Sequence, residues 1–212
     1  MSDAVHPLAG VLAGFARLVS GVQVRWVECR PATHQRVYFA NHTSHLDFVV
    51  LWSALPREVR VLVHPVAAQD YWGKTALRRY VATHVFRAVL IERNPRAHAP
   101  ALAAARMAIE RLVAALGDRD SLIVFPEGTR GDGEAIRPFK SGLYHLCLRC
   151  PDLELIPVYL RNLNRILPKG EILPVPLLSS VSFGPPMRLL EGEPKNAFLE
   201  RAREAVCRLK PQ

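Results

Sequence analysis

The chain has 212 residues, half of them hydrophobic, with 28 Lys+Arg against 19 Asp+Glu and a formal net charge of +9. That length suits a single α/β domain over residues 1–212 with a substantial core, and the apolar content excludes a disordered chain. A basic balance favours an anionic partner. The arginines are scattered, and no Lys/Arg block, nucleic-acid motif or interleaving of aromatic with basic residues occurs. The charge therefore reads as mostly solvated surface, then attraction to an anionic membrane surface, with nucleic acid excluded as a partner.

Residues 5–22 open the chain as a short amphipathic helix. Leu8, Val11, Leu12, Phe15, Leu18, Val19 and Val22 follow helical spacing, backed by Gly10, Ala13, Gly14, Arg17 and Gly21. Two readings stand side by side: a helix packed on its own domain, or one lying at a lipid interface. Val22–Glu28 alternates as a strand, and Val37–Ala40 reads as a buried one. Ser44 is placed to cap a helix through Phe48, Val49, Leu51 and Trp52, which stops before Pro56. A second buried strand is expected over Val59–Val63, ended by His64-Pro65, followed by a helix over Tyr71–Thr83 and a strand over Val85–Ile91. Ala101–Leu116 reads as a helix with Leu102, Ile109, Leu112, Val113 and Leu116 inward, and Gly117 stops it. Then come a strand over Ser121–Phe125, a helix over Ser141–Arg149, a strand over Leu153–Leu160 interrupted by Pro157, and a Pro-rich loop over Leu163–Ser180. A short strand over Val181–Phe183 precedes a closing helix over Pro194–Leu209, with Phe198, Ala202, Ala205 and Leu209 inward. Strands alternating with helices predict an α/β fold with a mostly parallel central sheet flanked by helices.

No stretch reaches the roughly 18 apolar residues of a membrane span, and Met1–His6 lacks the basic region of a secretory signal. Cys147 and Cys150 form one C-x-x-C without a second pair to close a zinc site, so both read as small buried hydrophobes and no metal is expected.

Two hexapeptides carry chemistry: His42-Thr43-Ser44-His45-Leu46-Asp47 and Phe125-Pro126-Glu127-Gly128-Thr129-Arg130. Each follows an apolar run, where strands of an open α/β sheet end and ligands bind. Five residues turn a helix by roughly 500°, so His42 and Asp47 do not share one helical face. They meet if His42 stays on the turn after the strand and Asp47 enters the first helical turn. The carboxylate then orients the imidazole and leaves its other nitrogen as a base, the pairing used in acyl transfer. The bland alternative for Asp47 is a capping box with Ser44. His45 reads as structural. In the second hexapeptide Arg130 offers a fork for phosphate or carboxylate, Gly128 permits close approach, and Glu127 binds a hydroxyl or fixes Arg130.

Together these segments resemble the 1-acylglycerol-3-phosphate acyltransferase family, the glycerolipid acyltransferases with a His-x-x-x-x-Asp signature. Asn41–Phe48 resembles the first block and Phe125–Arg130 the third. Phe86–Arg93 falls where the second is expected, with Ile91-Glu92-Arg93 against the usual Ile-Asp-Arg. Ile156-Pro157-Val158 resembles the fourth, and Pro138–Gly142 the segment that commonly follows the third. The resemblance covers roughly residues 20 to 190. It implies transfer of a fatty acyl group from acyl-CoA or acyl-carrier protein to the free hydroxyl of a lysolipid, 1-acylglycerol 3-phosphate first among them, without a cofactor. By that analogy His42 and Asp47 are catalytic, Arg93 and Arg130 bind the acceptor's phosphate, and Glu127, Gly128 and Thr129 shape that pocket.

One departure matters. Many family members carry a lysine pair where this chain has Ala67-Ala68-Gln69-Asp70, so another lysolipid, a lyso-aminolipid or a larger lysophospholipid, is the alternative acceptor. A non-catalytic lipid-binding module of the same fold and a thioesterase are the readings of other classes. The expected location is cytoplasmic, peripheral on the inner face of the membrane.

Overall fold

A computed structural model of the chain describes residues 7–44, 46–92, 101–163 and 178–211. Seven strands form one sheet: β1 (Gln23–Trp26), β2 (Arg36–Ala40), β3 (Val63–Ala68), β4 (Val89–Ile91), β5 (Ser121–Val124), β6 (Glu154–Arg161) and β7 (Ser180–Phe183). Their order is β1-β7-β6-β2-β5-β3-β4, every neighbouring pair is parallel except β6–β7, and the mostly parallel α/β sheet expected from the alternation is what forms.

Strand side chains alternate between two cores, as the period of a pleated strand requires. Tyr38, Ala40, Ile123, Ile156 and Val158 face α1 (Pro7–Ser20) and α2 (Asp47–Ala54). Val37, Phe39, Leu122, Val124 and Leu155 face three other helices, which are numbered after the short α3 (Arg57–Arg60), α4 (Gln69–Trp72) and α5 (Ala76–Tyr80). These are α6 (Ala101–Leu116), α7 (Gly142–Arg149) and α8 (Lys195–Cys207). The β2-to-β3 connection leaves on the first face and the β5-to-β6 connection on the second. The crevice beyond the carboxyl ends of β2 and β5 therefore lies at a topological switch point, the usual ligand position in such sheets.

Both strand prolines lie inside strands rather than ending them. Pro65 pairs with Ile123 on one side, while β4 joins β3 only from Val66 onward. Pro157 pairs with Phe39, and the β7 ladder begins at Val158. Each proline thus stands at the end of one ladder, where its missing N–H is tolerated, and Gly184 N still donates to Pro157 O at 2.9 Å. The expected strand over Val59–Val63 is therefore displaced: Pro56 leads into α3, and the strand starts at Val63. Val85 and Phe86 are not strand but part of a wide helical turn over Val81–Val85 and its end, where Phe86 packs edge-on against Phe48 and Trp52. The expected helix over Tyr71–Thr83 is broken into α4, α5 and that turn. Leu102 is 65% exposed and not part of the inward face of α6. The Pro-rich stretch read as a loop lies largely outside the described residues.

The N-terminal helix uses its two faces differently. It lies on α2 through its small residues Ala9, Ala13, Ala16 and Ser20, all buried. Arg17 ties the two helices together: its Nε donates to Ser53 O at 2.6 Å and its Nη2 to Leu55 O at 3.2 Å. The large residues point away, with Leu8, Val11, Phe15 and Leu18 exposed by 49, 67, 60 and 80%. Among the described residues no helix is long and apolar enough to cross a membrane.

Candidate active site

The register of β2 on β5 builds the site. Val37 pairs with Leu122, Tyr38 with Ile123 and Phe39 with Val124. Carried past both strand ends, that register sets His42 opposite Glu127, and the His42 N–H donates to Glu127 Oε1 at 2.7 Å. The other flank is fixed by Asn41. Its side chain donates to Leu160 O at 3.0 Å and accepts from Leu160 N at 2.8 Å, pinning the end of β2 to β6. Asn41 is buried, so both bonds are made away from competing water.

Asp47 enters at the first position of α2, where the helix dipole favours a negative charge. The side chain is wholly buried. Its Oδ2 accepts from His42 Nδ1 at 2.9 Å and from the backbone N–H groups of Thr43 and Ser44 at 2.5 and 2.9 Å. The two readings of Asp47 therefore coincide, since one oxygen closes the turn and also holds the imidazole. Ser44 itself does not cap α2; Leu46 occupies that position, and the Ser44 hydroxyl accepts from Leu46 N at 3.3 Å. With Nδ1–H given to the carboxylate, Nε2 is left with its lone pair. The ring stacks on Phe125, with centroids 4.4 Å apart, which fixes its plane.

Glu127 is buried and does not fix Arg130. Its second oxygen accepts from Arg137 N at 3.1 Å, so the carboxylate bridges two backbone segments around His42. Burial pushes its carboxyl above the ordinary value, and the two amide hydrogen bonds pull the other way without overcoming it. Gly128 follows at φ +70°, a left-handed backbone that favours glycine, and the Lys140 side chain crosses close over it, 2.8 Å from where a Cβ would stand. Gly131 N donates to His42 O at 2.8 Å and closes the loop back on the site.

Two cavities meet at His42. One, of about 280 Å³, runs between β3, β5, α6 and α7 and is lined mainly by apolar side chains such as Val66, Ile91, Leu112, Val124, Leu143 and Leu146, with Lys140 also on its wall. The other, of about 170 Å³, lies between the 131–136 loop and α8, with Asn41, Glu127, Tyr159, Arg203 and Lys210 among its walls.

The structure thus brings His42, Asp47, Glu127 and Gly128 together. Thr129 is exposed, Arg130 is half-buried, and neither lines either cavity; Arg93 lies outside the described residues. Asn41, Phe125 and Lys140 stand inside segments that the sequence reading singled out but received no role there. Arg203 and Cys207 come from α8 and Lys210 from the turn after it, more than 150 positions from His42, and no local pattern announces them. The C-x-x-C cysteines are free thiols. Burial pushes Cys147 up to about 12, so it stays protonated and inert. No group of three or more His, Cys, Asp or Glu able to hold a metal occurs among the described residues.

Residues 21–161, which include both hexapeptides, match the Acyltransferase family model. The chain belongs to the Acyltransferase family. Among its relatives is the 1-acyl-sn-glycerol-3-phosphate acyltransferase of Limnanthes douglasii, 29% identical over 182 residues that cover 84% of this chain and 59% of that protein. The acyltransferase of the same name from Escherichia coli K12 is 31% identical over 157 residues, covering 66% of this chain and 57% of its own length. The chain therefore spans a little over half the length of these relatives. In fold it is similar to the crystal structure of the 1-acyl-sn-glycerophosphate (LPA) acyltransferase PlsC from Thermotoga maritima, with a TM-score of 0.71 and 21% identity over 95% of this chain and 77% of that one. The match to the Acyltransferase family model ends at the carboxyl end of β6, so α8 and its share of the smaller cavity lie beyond it.

Proposed function

We propose that the protein is an O-acyltransferase that moves a fatty acyl group from an acyl thioester, acyl-CoA or acyl-carrier protein, to the free hydroxyl of 1-acylglycerol 3-phosphate. The observation that carries this reading is the His42–Asp47 pair. A fully buried carboxylate holds Nδ1, and the imidazole lies where an apolar cavity meets a more polar one. In the proposed reaction Nε2 takes the proton of the acceptor hydroxyl as that oxygen attacks the thioester carbonyl. The tetrahedral intermediate collapses, the C–S bond breaks, and the imidazolium returns the proton to the leaving thiolate. Base and orienter come from the chain itself, so the reaction takes no cofactor. The apolar cavity suits the acyl chain. Arg93, Thr129 and Arg130 keep their proposed part in binding the acceptor's phosphate, on the family resemblance alone.

The enzyme would work from the membrane surface as a peripheral protein. The apolar stripe of α1 that faces outward and the net charge of +9 support this, because a lysolipid acceptor resides in the bilayer. A different lysolipid acceptor is the second reading. Ala67 and Ala68, part of the segment Ala67-Ala68-Gln69-Asp70 that the family resemblance sets against a lysine pair, line the apolar cavity and bring no cation to it.

The test is an acyl-transfer assay with acyl-CoA and acyl-carrier protein across a panel of lysolipids, with products identified by mass. Phosphatidic acid as the main product supports the proposal. Free fatty acid formed equally with and without lysolipid makes the protein a hydrolase, and no thioester consumption makes it a binding module.

A further inference from the structure

We propose that His64 is a positioning residue that carries two ring protons and, as an imidazolium paired with Asp120, clasps β4 to the sheet and so fixes one wall of the apolar cavity beside His42. This rests on the acyltransferase reading of that cavity. His64 is the second residue of β3, and its side chain is 9% exposed. Its Nδ1 stands 2.8 Å from Arg87 O and its Nε2 2.8 Å from Asp120 Oδ2. A carbonyl and a carboxylate oxygen only accept, whereas a neutral imidazole has one N–H to give. Both bonds form only when the pair holds one further proton. His42 is the contrast. Asp47 takes its Nδ1–H, and no second acceptor meets its ring among the described residues.

The place of the pair gives the second proton a task. β4 pairs with β3 over Val66–Ala68 alone, in a register that, carried backwards, sets Arg87 opposite His64. Pro65 between them brings no N–H to extend the ladder. The His64 side chain supplies the missing donor to Arg87 O. Arg87 has φ +51°, a left-handed backbone unfavourable to a residue with a side chain, and its bend joins the buried Phe86 to β4. Ile91 of β4 and Val66, Ala67 and Ala68 of β3 line the cavity proposed for the acyl chain. Two other charged groups stand against the pair. Arg87 Nη2 is 3.7 Å from Asp120 Oδ2, and Arg119 Nε is 3.9 Å from Oδ1. Oδ1 is buried and makes no hydrogen bond among the described residues, so the imidazolium is the hydrogen-bonding cation of Asp120. Loss of the ring's second proton sets a lone pair against one of the two oxygens and releases the Arg87 bend. The clasp is therefore present at lower pH and lost as the pH rises.

Two variants of the full chain separate the proton from the side chain. His64→Ala removes both bonds and should raise KM for the acyl thioester about three- to tenfold at every pH, with a smaller change in kcat. Asp120→Asn keeps the shape of the clasp without the proton, because its amide donates to a neutral Nε2 while Nδ1–H still reaches Arg87 O. Wild type should show a severalfold rise in donor KM between about pH 6.5 and about pH 9, and Asp120→Asn should hold the low-pH value throughout. An equal rise in both forms, no rise in wild type, or an unaltered donor KM in His64→Ala overturns the proposal. Nitrogen-15 NMR of the histidine rings needs no turnover. At about pH 7.5 an exposed imidazole is neutral. There, one wild-type ring should carry protons on both nitrogens and keep only one of them in Asp120→Asn. If no ring loses a proton between the two forms, the clasp is overturned. Two protons on that ring in a chain that transfers no acyl group to any acceptor keep the clasp and remove the acyltransferase reading.

Discussion

At the scale of single residues, the site rests on three side chains with different tasks. His42→Ala should lower acyl transfer by about 10²–10⁴-fold in a variant that still folds, since a positioned general base contributes that much. Near-normal turnover by the folded variant would reject the mechanism. Asp47→Asn should lose activity and also some stability. The amide favours the wrong imidazole tautomer, and it weakens the acceptor that Thr43 N and Ser44 N share. If activity loss follows the unfolded fraction alone, Asp47 is only a cap. Glu127→Gln places an amide donor against one of two backbone donors, which should cost roughly 1–3 kcal/mol and loosen the backbone of His42. The sign with pH follows from burial. Because the folded chain holds the Glu127 carboxyl above its ordinary 4.5, its contribution is fully present below 4.5 and is lost as pH rises through the raised value. Urea unfolding at about pH 4 and about pH 7 should therefore show a larger wild-type advantage over Glu127→Gln at the lower pH.

At the scale of elements, α1 has two faces with opposite duties. The small face of Ala9, Ala13 and Ala16 lets the helix lie close on α2, and the large face of Leu8, Val11, Phe15 and Leu18 is left outward. Val11→Ser with Phe15→Ser should weaken vesicle binding while leaving the melting temperature and the turnover of detergent-dispersed substrate intact. Ala13→Leu should do the reverse, since overpacking a buried position costs about 1–3 kcal/mol without touching the outward face. A drop in melting temperature for the first variant would assign the stripe to the core instead. The sequence reading found the helix and its apolar stripe and left open whether the stripe packs on the domain or faces outward; in the structure the large residues face outward. Periodicity reports that a face exists; which face packs depends on how closely the neighbouring helix approaches. The displaced start of β3 has a similar cause. Val59–Val63 and Val63–Ala68 are both apolar enough for a strand, and pairing with Ser121–Ile123 selects the second.

At the scale of the whole molecule, the net charge of +9 and the outward stripe of α1 lead to one expectation. The protein should bind anionic vesicles more tightly than neutral ones, and added salt should reduce the difference, because each basic residue near the surface contributes up to about 1 kcal/mol of screened attraction. Equal binding to both vesicle types in a sedimentation assay would remove the electrostatic part of this account. The sequence by itself determined the alternation that makes a mostly parallel sheet and the two polar hexapeptides at the ends of apolar runs. Those signals are local, carried by residues a few positions apart. Tertiary structure alone decided that Glu127 holds the backbone of His42 rather than Arg130. That follows from the β2–β5 register, which sets residues 85 positions apart opposite one another. It alone brought Tyr159, Arg203 and Lys210 to the cavity beside His42, because packing of α8 against β6 is set by burial of Phe198, Ala202 and Val206 and leaves no mark near the hexapeptides.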